Sequence, residues 1–276
     1  MLKILKPTLK IIIIIFALIG LILSLGYVVI RAGLTKTEGK IDVQTKNFIK
    51  IDSAKKENYT TFPLAHTPEW IAFRQAVIKD KTTIENVSKK TGVSERLLIS
   101  ILVPEQMRLF HSERPLFKQV FEPLKILGSQ SQFSWGIFGI KDETARDVEE
   151  HLTNKNSPFY LGLSFEKYLS FTNQGYSDQE RFSRIVDEKN HMYSYLYTAI
   201  YILQIESQWR NAGFPIDSRP EIIATLWNVG FEKSIPKKDP SSGGSVLDIG
   251  DKQYSFGEMA RLFYYSDEMI EIFPLK

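Results

Sequence analysis

Apolar residues run unbroken in one place only, residues 11–30, a stretch of twenty without a charge that opens on five isoleucines. At about 1.5 Å per helical residue it matches a hydrocarbon core of roughly 30 Å. Lys3, Lys6 and Lys10 precede it, which favours a cytoplasmic start and an exported body. The stretch exceeds a secretory h-region, and Tyr27-Val28-Val29-Ile30-Arg31 offers no small-x-small cleavage site. The expectation is an uncleaved anchor: residues 1–10 cytoplasmic, 11–30 transmembrane and 31–61 a polar, Lys-rich stalk. Residues 62–276 then form one exported domain, periplasmic or extracellular.

In that domain apolar residues recur mostly at helical spacing. Trp70, Ile71, Phe73, Ala76 and Val77 follow Pro68 in this way. Thr82-Thr83-Ile84-Glu85 has capping-box spacing and predicts a helix that Gly92 stops. Ser94 caps another, running to about residue 109. Shorter helices are expected over 144–151 and 164–169, and a long one over 179–209, closed by Asn211-Ala212-Gly213. Residues 220–229 and 255–265 complete the set, around a turn-rich loop at 236–244. Only 133–140 and 245–249 alternate enough for short strands, so the expected class is mainly α with a short β element.

Charge and composition narrow the function. Four of the 35 bases and no acid lie in residues 1–31, which leaves 31 bases against 32 acids in the rest, a net of −1. By net charge the body is not a polyanion binder, and no nucleic-acid partner is expected. Residues 83–102 have a helix-turn-helix outline with Gly92 in the turn. The helix that would read DNA, however, is dominated by Leu and Ile rather than Arg, Lys and Asn. The absence of cysteine excludes disulfide scaffolds, thiol nucleophiles and thiolate zinc sites. His66, His111, His151 and His191 lack metal-ligand spacing, and no P-loop, GxSxG or GxGxxG occurs, so neither metal nor organic cofactor is expected.

Three stretches stand out. On the 94–109 helix, Leu98, Leu102, Glu105 and Leu109 share one face, so Glu105 interrupts an apolar stripe. Partial desolvation there raises a carboxyl pKa and suits a general acid; the rival reading is a structural pair with Arg108, three residues on. Pro104, just before it, is expected to kink the helix. The second stretch, Ser131-Gln132-Phe133-Ser134-Trp135-Gly136-Ile137-Phe138-Gly139-Ile140, alternates small and aromatic residues. It is either a loop that a flat ligand can approach or a tightly packed hairpin. The third, Thr225-Leu226-Trp227-Asn228-Val229-Gly230, sets an aromatic and an amide before a helix-ending glycine.

In this order the three stretches resemble the lysozyme-like domain of lytic transglycosylases and goose-type lysozymes. That family carries a catalytic Glu on a helix, then G-A-x-G-L-M-Q-I with a following T-A, then A-A-Y-N-A-G. Glu105, the stretch 134–140 with Thr144-Ala145, and the stretch 225–230 align with these, and the resemblance covers roughly residues 84–232. It implies a lysozyme-like fold and cleavage of peptidoglycan between N-acetylmuramic acid and N-acetylglucosamine, with Glu105 as acid and base. It further implies Gln106, Ser134, Trp135, Gly136, Phe138, Trp227 and Asn228 on the substrate side. The chain departs from the family at Gln106, where the usual residue is Ser, at Gly139, where it is Gln, and at Trp227, where it is Tyr. An insertion around 115–127 is also implied. A second carboxylate for water activation has several candidates (Glu113, Glu122, Asp142 and Glu143), and transglycosylation needs none. The alternative is a lysozyme-like domain that binds glycan or envelope partners without cutting.

Overall fold

The structure, a computed structural model, describes residues 62–111, 135–172 and 174–275, and six residues (16–18, 20, 21 and 24) of the apolar N-terminal stretch. Those six are helical and exposed; the rest of the expected 11–30 anchor and of the expected 31–61 stalk lies outside the described residues. No helix among the described residues is long and apolar enough to cross a membrane.

The fold is mainly α. Helix α1 (Pro68–Lys79) starts where the Thr67 hydroxyl accepts from the Trp70 amide and Pro68 takes the first turn, where no N–H is needed. Helix α2 (Lys81–Thr91) begins two residues before the expected Thr83 region, with Asp80 at its cap. The Thr82 capping box is therefore not the start signal. Gly92, at φ 83°, stops α2 in the left-handed conformation that glycine adopts without strain. Ser94 then caps α3 (Glu95–His111), its hydroxyl accepting from the Leu97 amide.

Helix α3 is buried nearly all round, from Leu97 through Val103, so it lies inside the domain rather than on its surface. It runs on through Pro104 without ending. Arg96, also fully buried, anchors it to the C-terminal segment. Its guanidinium donates to the carbonyls of Phe263, Tyr264, Ser266, Glu268 and Phe273 at 2.5–3.1 Å.

The helix expected over 179–209 is two helices, α5 (Ser177–Ile185) and α6 (Met192–Asn211). Asp187 and Asn190 divide them. The Asp187 carboxylate accepts from the amides of Lys189 and Asn190, and the Asn190 side chain accepts from the Met192 amide. Such local bonds compete with helical ones. Helix α4 (Asp142–Thr153) precedes them, two residues longer at each end than expected. Residues 164–169 are not a helix but a run of turns with i→i+3 bonds, begun at Gly162, φ 97°.

Helix α7 (Pro220–Val229) ends at Gly230 as the sequence implies. After the 236–244 loop come β1 (Val246–Ile249) and β2 (Lys252–Ser255), antiparallel with Leu247 opposite Tyr254. Strand β2 was not anticipated. Helix α8 (Phe256–Tyr264) starts at a capping box between Ser255 and Glu258 and packs along α7 and α3. Helix α6, the second helix buried on most sides, packs against α2, α4 and α7. Of the expected 133–140 strand, residues 133 and 134 lie outside the described residues and 135–140 form a tight turn, closed by paired backbone bonds of 2.7 and 2.9 Å between Trp135 and Ile140.

Candidate active site

Glu105 sits in the C-terminal half of α3 with 1% of its surface exposed. A carboxylate taken out of water needs partners. Both of its oxygens accept from the Arg108 guanidinium, at 2.7 and 2.8 Å. The helix supplies this pairing itself, since residues three apart share a face. The rival reading of Glu105, an ion pair with Arg108, is therefore present.

Two further connections join Glu105 to segments distant in the chain. Next to it, the Gln106 amide donates to the Ile137 carbonyl in the 135–140 turn. On the other side, Arg108 reaches toward the Ser245 hydroxyl at 3.5 Å. Ser245 in turn donates through its amide and hydroxyl to the Asn228 side-chain oxygen, at 2.8 and 3.0 Å. Gly244 makes that approach possible: at φ +94°, a Cβ there would lie 2.8 Å from the same Asn228 oxygen. The 135–140 turn and the end of α7 also touch directly, Phe138 against Trp227 with ring centroids 6.2 Å apart. All three singled-out stretches thus meet around one buried carboxylate.

Their aromatic side chains do not form the expected platforms. Phe138 is fully buried, edge-on to Tyr195, and Trp135 is 4% exposed and turned toward Phe182 of α5. Both are core residues and offer no face for a sugar to stack on. Gly136 has a packing reason as well. At φ +66°, a Cβ there would fall 2.4 Å from the Ile185 carbonyl and the Ser194 hydroxyl. The alternation of small and aromatic residues is therefore that of a tightly packed turn. Trp227 is also largely buried, stacked on Phe256, but its indole Nε1 has no hydrogen-bond partner among the described residues. Gln106 and Asn228 remain partly exposed beside Glu105. Ser134 lies outside the described residues, as do Glu113, Glu122 and the 115–127 insertion. Asp142 is committed elsewhere, to Arg146 and Arg181.

The sequence reading missed several polar groups. Ser245 carried no signal, because its role depends on the 236–244 loop folding back over α7. Glu206 lies buried on α6, and its carboxyl is pushed up to about 7 by burial and by Asp217. Among the described residues no group of three or more His, Asp or Glu side chains is arranged to hold a metal ion.

No family model, curated protein or solved structure matches this chain. The fold and site define a mainly α domain organised around a buried Glu–Arg pair, and the resemblance to the lysozyme-like enzymes is one of motifs alone.

Proposed function

We propose that this chain is a membrane-anchored enzyme that cleaves peptidoglycan glycan strands between N-acetylmuramic acid and N-acetylglucosamine, with its catalytic domain exported. One observation carries the reading. Glu105, the 135–140 turn and the Asn228 end of α7 lie about 30 and 120 residues apart in sequence. They are nevertheless joined by the Gln106–Ile137 bond, the Asn228–Ser245–Arg108 chain and the Phe138–Trp227 contact. Three motifs that resemble one family in order also share one place.

In this chemistry Glu105 gives its proton to the glycosidic oxygen as the bond to the muramic C1 breaks. The resulting carboxylate then takes the proton of the muramic 6-hydroxyl as that oxygen bonds to C1. The product is a 1,6-anhydro sugar, the carboxyl is regenerated, and no second carboxylate is required. Arg108 holds both Glu105 oxygens in the free protein, so binding of substrate must draw it off at least one. Its side chain is 24% exposed, which gives it somewhere to go.

The pairing also favours a second reading, a glycan- or partner-binding domain of the envelope that does not cut. Both carboxylate oxygens are occupied, and the family's stacking positions are filled by core residues. Incubating the protein with purified peptidoglycan and weighing the released muropeptides separates the two. Products one water lighter than the hydrolysis products mark transglycosylation. An unchanged sacculus that still retains the protein marks the binder.

A further inference from the structure

Arg108 holds Glu105 with one nitrogen. Both carboxylate oxygens accept from Nη2, at 2.7 and 2.8 Å, so the two-nitrogen fork of the guanidinium is not used. Arg181 shows the other arrangement in the same domain: its Nε and Nη2 each take one oxygen of Glu149, at 2.7 and 2.6 Å. The remaining donors of Arg108 are barely engaged. Nε is enclosed and has no partner among the described residues, and Nη1 reaches only the Ser245 hydroxyl, at 3.5 Å. An enclosed donor without an acceptor is costly. Here it belongs to a cation that keeps 24% of its side chain in solvent, beside the partly exposed Asn228.

The clamp also leaves Glu105 in the wrong state for its proposed work. A carboxylate whose two oxygens both accept from a guanidinium has no proton to give, and a general acid must have one. Something has to outcompete two charge-assisted bonds. Water already reaches the Arg108 side chain, and the pair stands nonetheless. A sugar hydroxyl is a neutral acceptor and roughly half as strong a partner. A second carboxylate matches the first, and it can use the fork that Glu105 leaves empty. The cation then stays paired while its partner changes.

We propose that Arg108 is the specificity residue of the cleavage site, giving up Glu105 for a carboxylate of the muramic acid unit being cut. This rests on the cleavage reading and names what switches it on. Glu105, 1% exposed and without its cation, then takes up a proton from solvent, because a buried carboxyl without a counter-charge favours its neutral form. The general acid therefore exists only once the anion of the substrate is in place. A glycan without carboxylates leaves Glu105 clamped. Muramic acid offers such a group at its lactyl ether, free where the stem peptide is absent; where the peptide is attached, its own carboxylates are the source.

The test uses the full-length protein in detergent and three kinds of glycan strand: stripped of stem peptide, still bearing it, and stripped with the carboxyl groups converted to methylamides. The parent should cut one of the charged strands about tenfold or more faster than the amidated one, chiefly through kcat. Preference for stripped strands assigns the anion to the lactyl group, and preference for peptide-bearing strands assigns it to the peptide. Arg108→Gln should cut charged and amidated strands alike, and Arg108→Lys, which keeps the charge but not the fork, should retain part of the preference. A merely structural Arg108 would change all rates together and leave the preference intact. Binding gives an answer without cleavage. Glu105→Gln frees Arg108 and should hold charged strands about tenfold or more tighter than amidated ones, a difference that adding Arg108→Gln removes. If the parent cuts no strand, the cleavage reading fails, and the anion contact stands or falls on that affinity difference. Equal handling of charged and amidated strands by both parent and Glu105→Gln, or a preference that survives Arg108→Gln, overturns the proposal.

Discussion

Two buried arginine–carboxylate assemblies occupy this domain, and they are built differently. Arg181 of α5 is 3% exposed and closed on every side. Glu149 takes its Nε and Nη2 at 2.7 and 2.6 Å, Asp178 takes Nη1 at 2.8 Å, and Tyr197 donates to Glu149 from α6. One cation ties α4 to α5, and Glu149 carries the link on to α6 through Tyr197. Among the described residues Arg108 serves a single carboxylate and its Nε has no partner, and part of its side chain stays in solvent. A closed assembly holds a fold together, whereas an open one can exchange partners. The difference marks the Arg181 centre as structure, and the proposed cleavage assigns its chemistry to the Glu105 centre.

The largest expected effect lies at the closed centre. Arg181→Met leaves the Glu149 carboxylate without its cation, with Tyr197 still donating to it, while Asp142 and Asp178 keep Arg146; it should cost about 3–5 kcal/mol, read as a lowered urea midpoint. A loss below about 1 kcal/mol would remove the contrast. Phe138→Ala should cost a similar amount, about 3–5 kcal/mol, because the ring is enclosed. If it instead left stability intact and weakened glycan binding, the ring would be a platform after all.

Glu206 sharpens the comparison as an acid with no such partner, since Arg210, one turn on, pairs with Asp217. Its carboxyl stands at about 7 in the fold against an ordinary 4.5. A raised pKa means its stabilising share is complete below pH 4.5 and is lost as pH rises to 7. The shift corresponds to roughly 3 kcal/mol. His191, raised by its hydrogen bond to Asp80, and Asp147 run in the same direction. Melting temperature should therefore fall between pH 5 and 8, and Glu206→Gln should flatten much of that fall. A stability that rises over this range would contradict the assignment.

The helical frame was legible in the sequence wherever local signals agree with packing. Thr67-Pro68, Gly92, Ser94, Gly230 and Ser255 mark helix ends by side-chain and backbone chemistry that needs no tertiary context. The reading failed where two local codes compete. The expected helix bridges 187–191, Asp-Glu-Lys-Asn-His, which carries no apolar residue, and there Asp187 and Asn190 bond their own backbone and break the helix. Strand β2, Lys252-Gln253-Tyr254-Ser255, has no apolar alternation and exists because β1 is beside it. At the site, Glu105 was visible as an acid on an apolar stripe. The burial of Trp135 and Phe138 was not, because the aromatic–glycine pattern of a packed turn is the same as that of a ligand loop. Ser245 takes its meaning from contacts across 17 residues or more and leaves no local trace.

The central claim is that the open pair at Glu105 is catalytic, and Glu105→Gln tests it most directly. Gln keeps the side chain's volume and an acceptor for Arg108 but has no proton to transfer. Thermal melting and muropeptide release from the same preparations should show a fold within about 1 kcal/mol of the parent, since Arg108 can turn to solvent. Cleavage should fall at least about 100-fold, the lower end of what general acid–base catalysis contributes. A variant that melts intact and still releases muropeptides at the parent rate would contradict the account, as would one that unfolds with the loss of the pair.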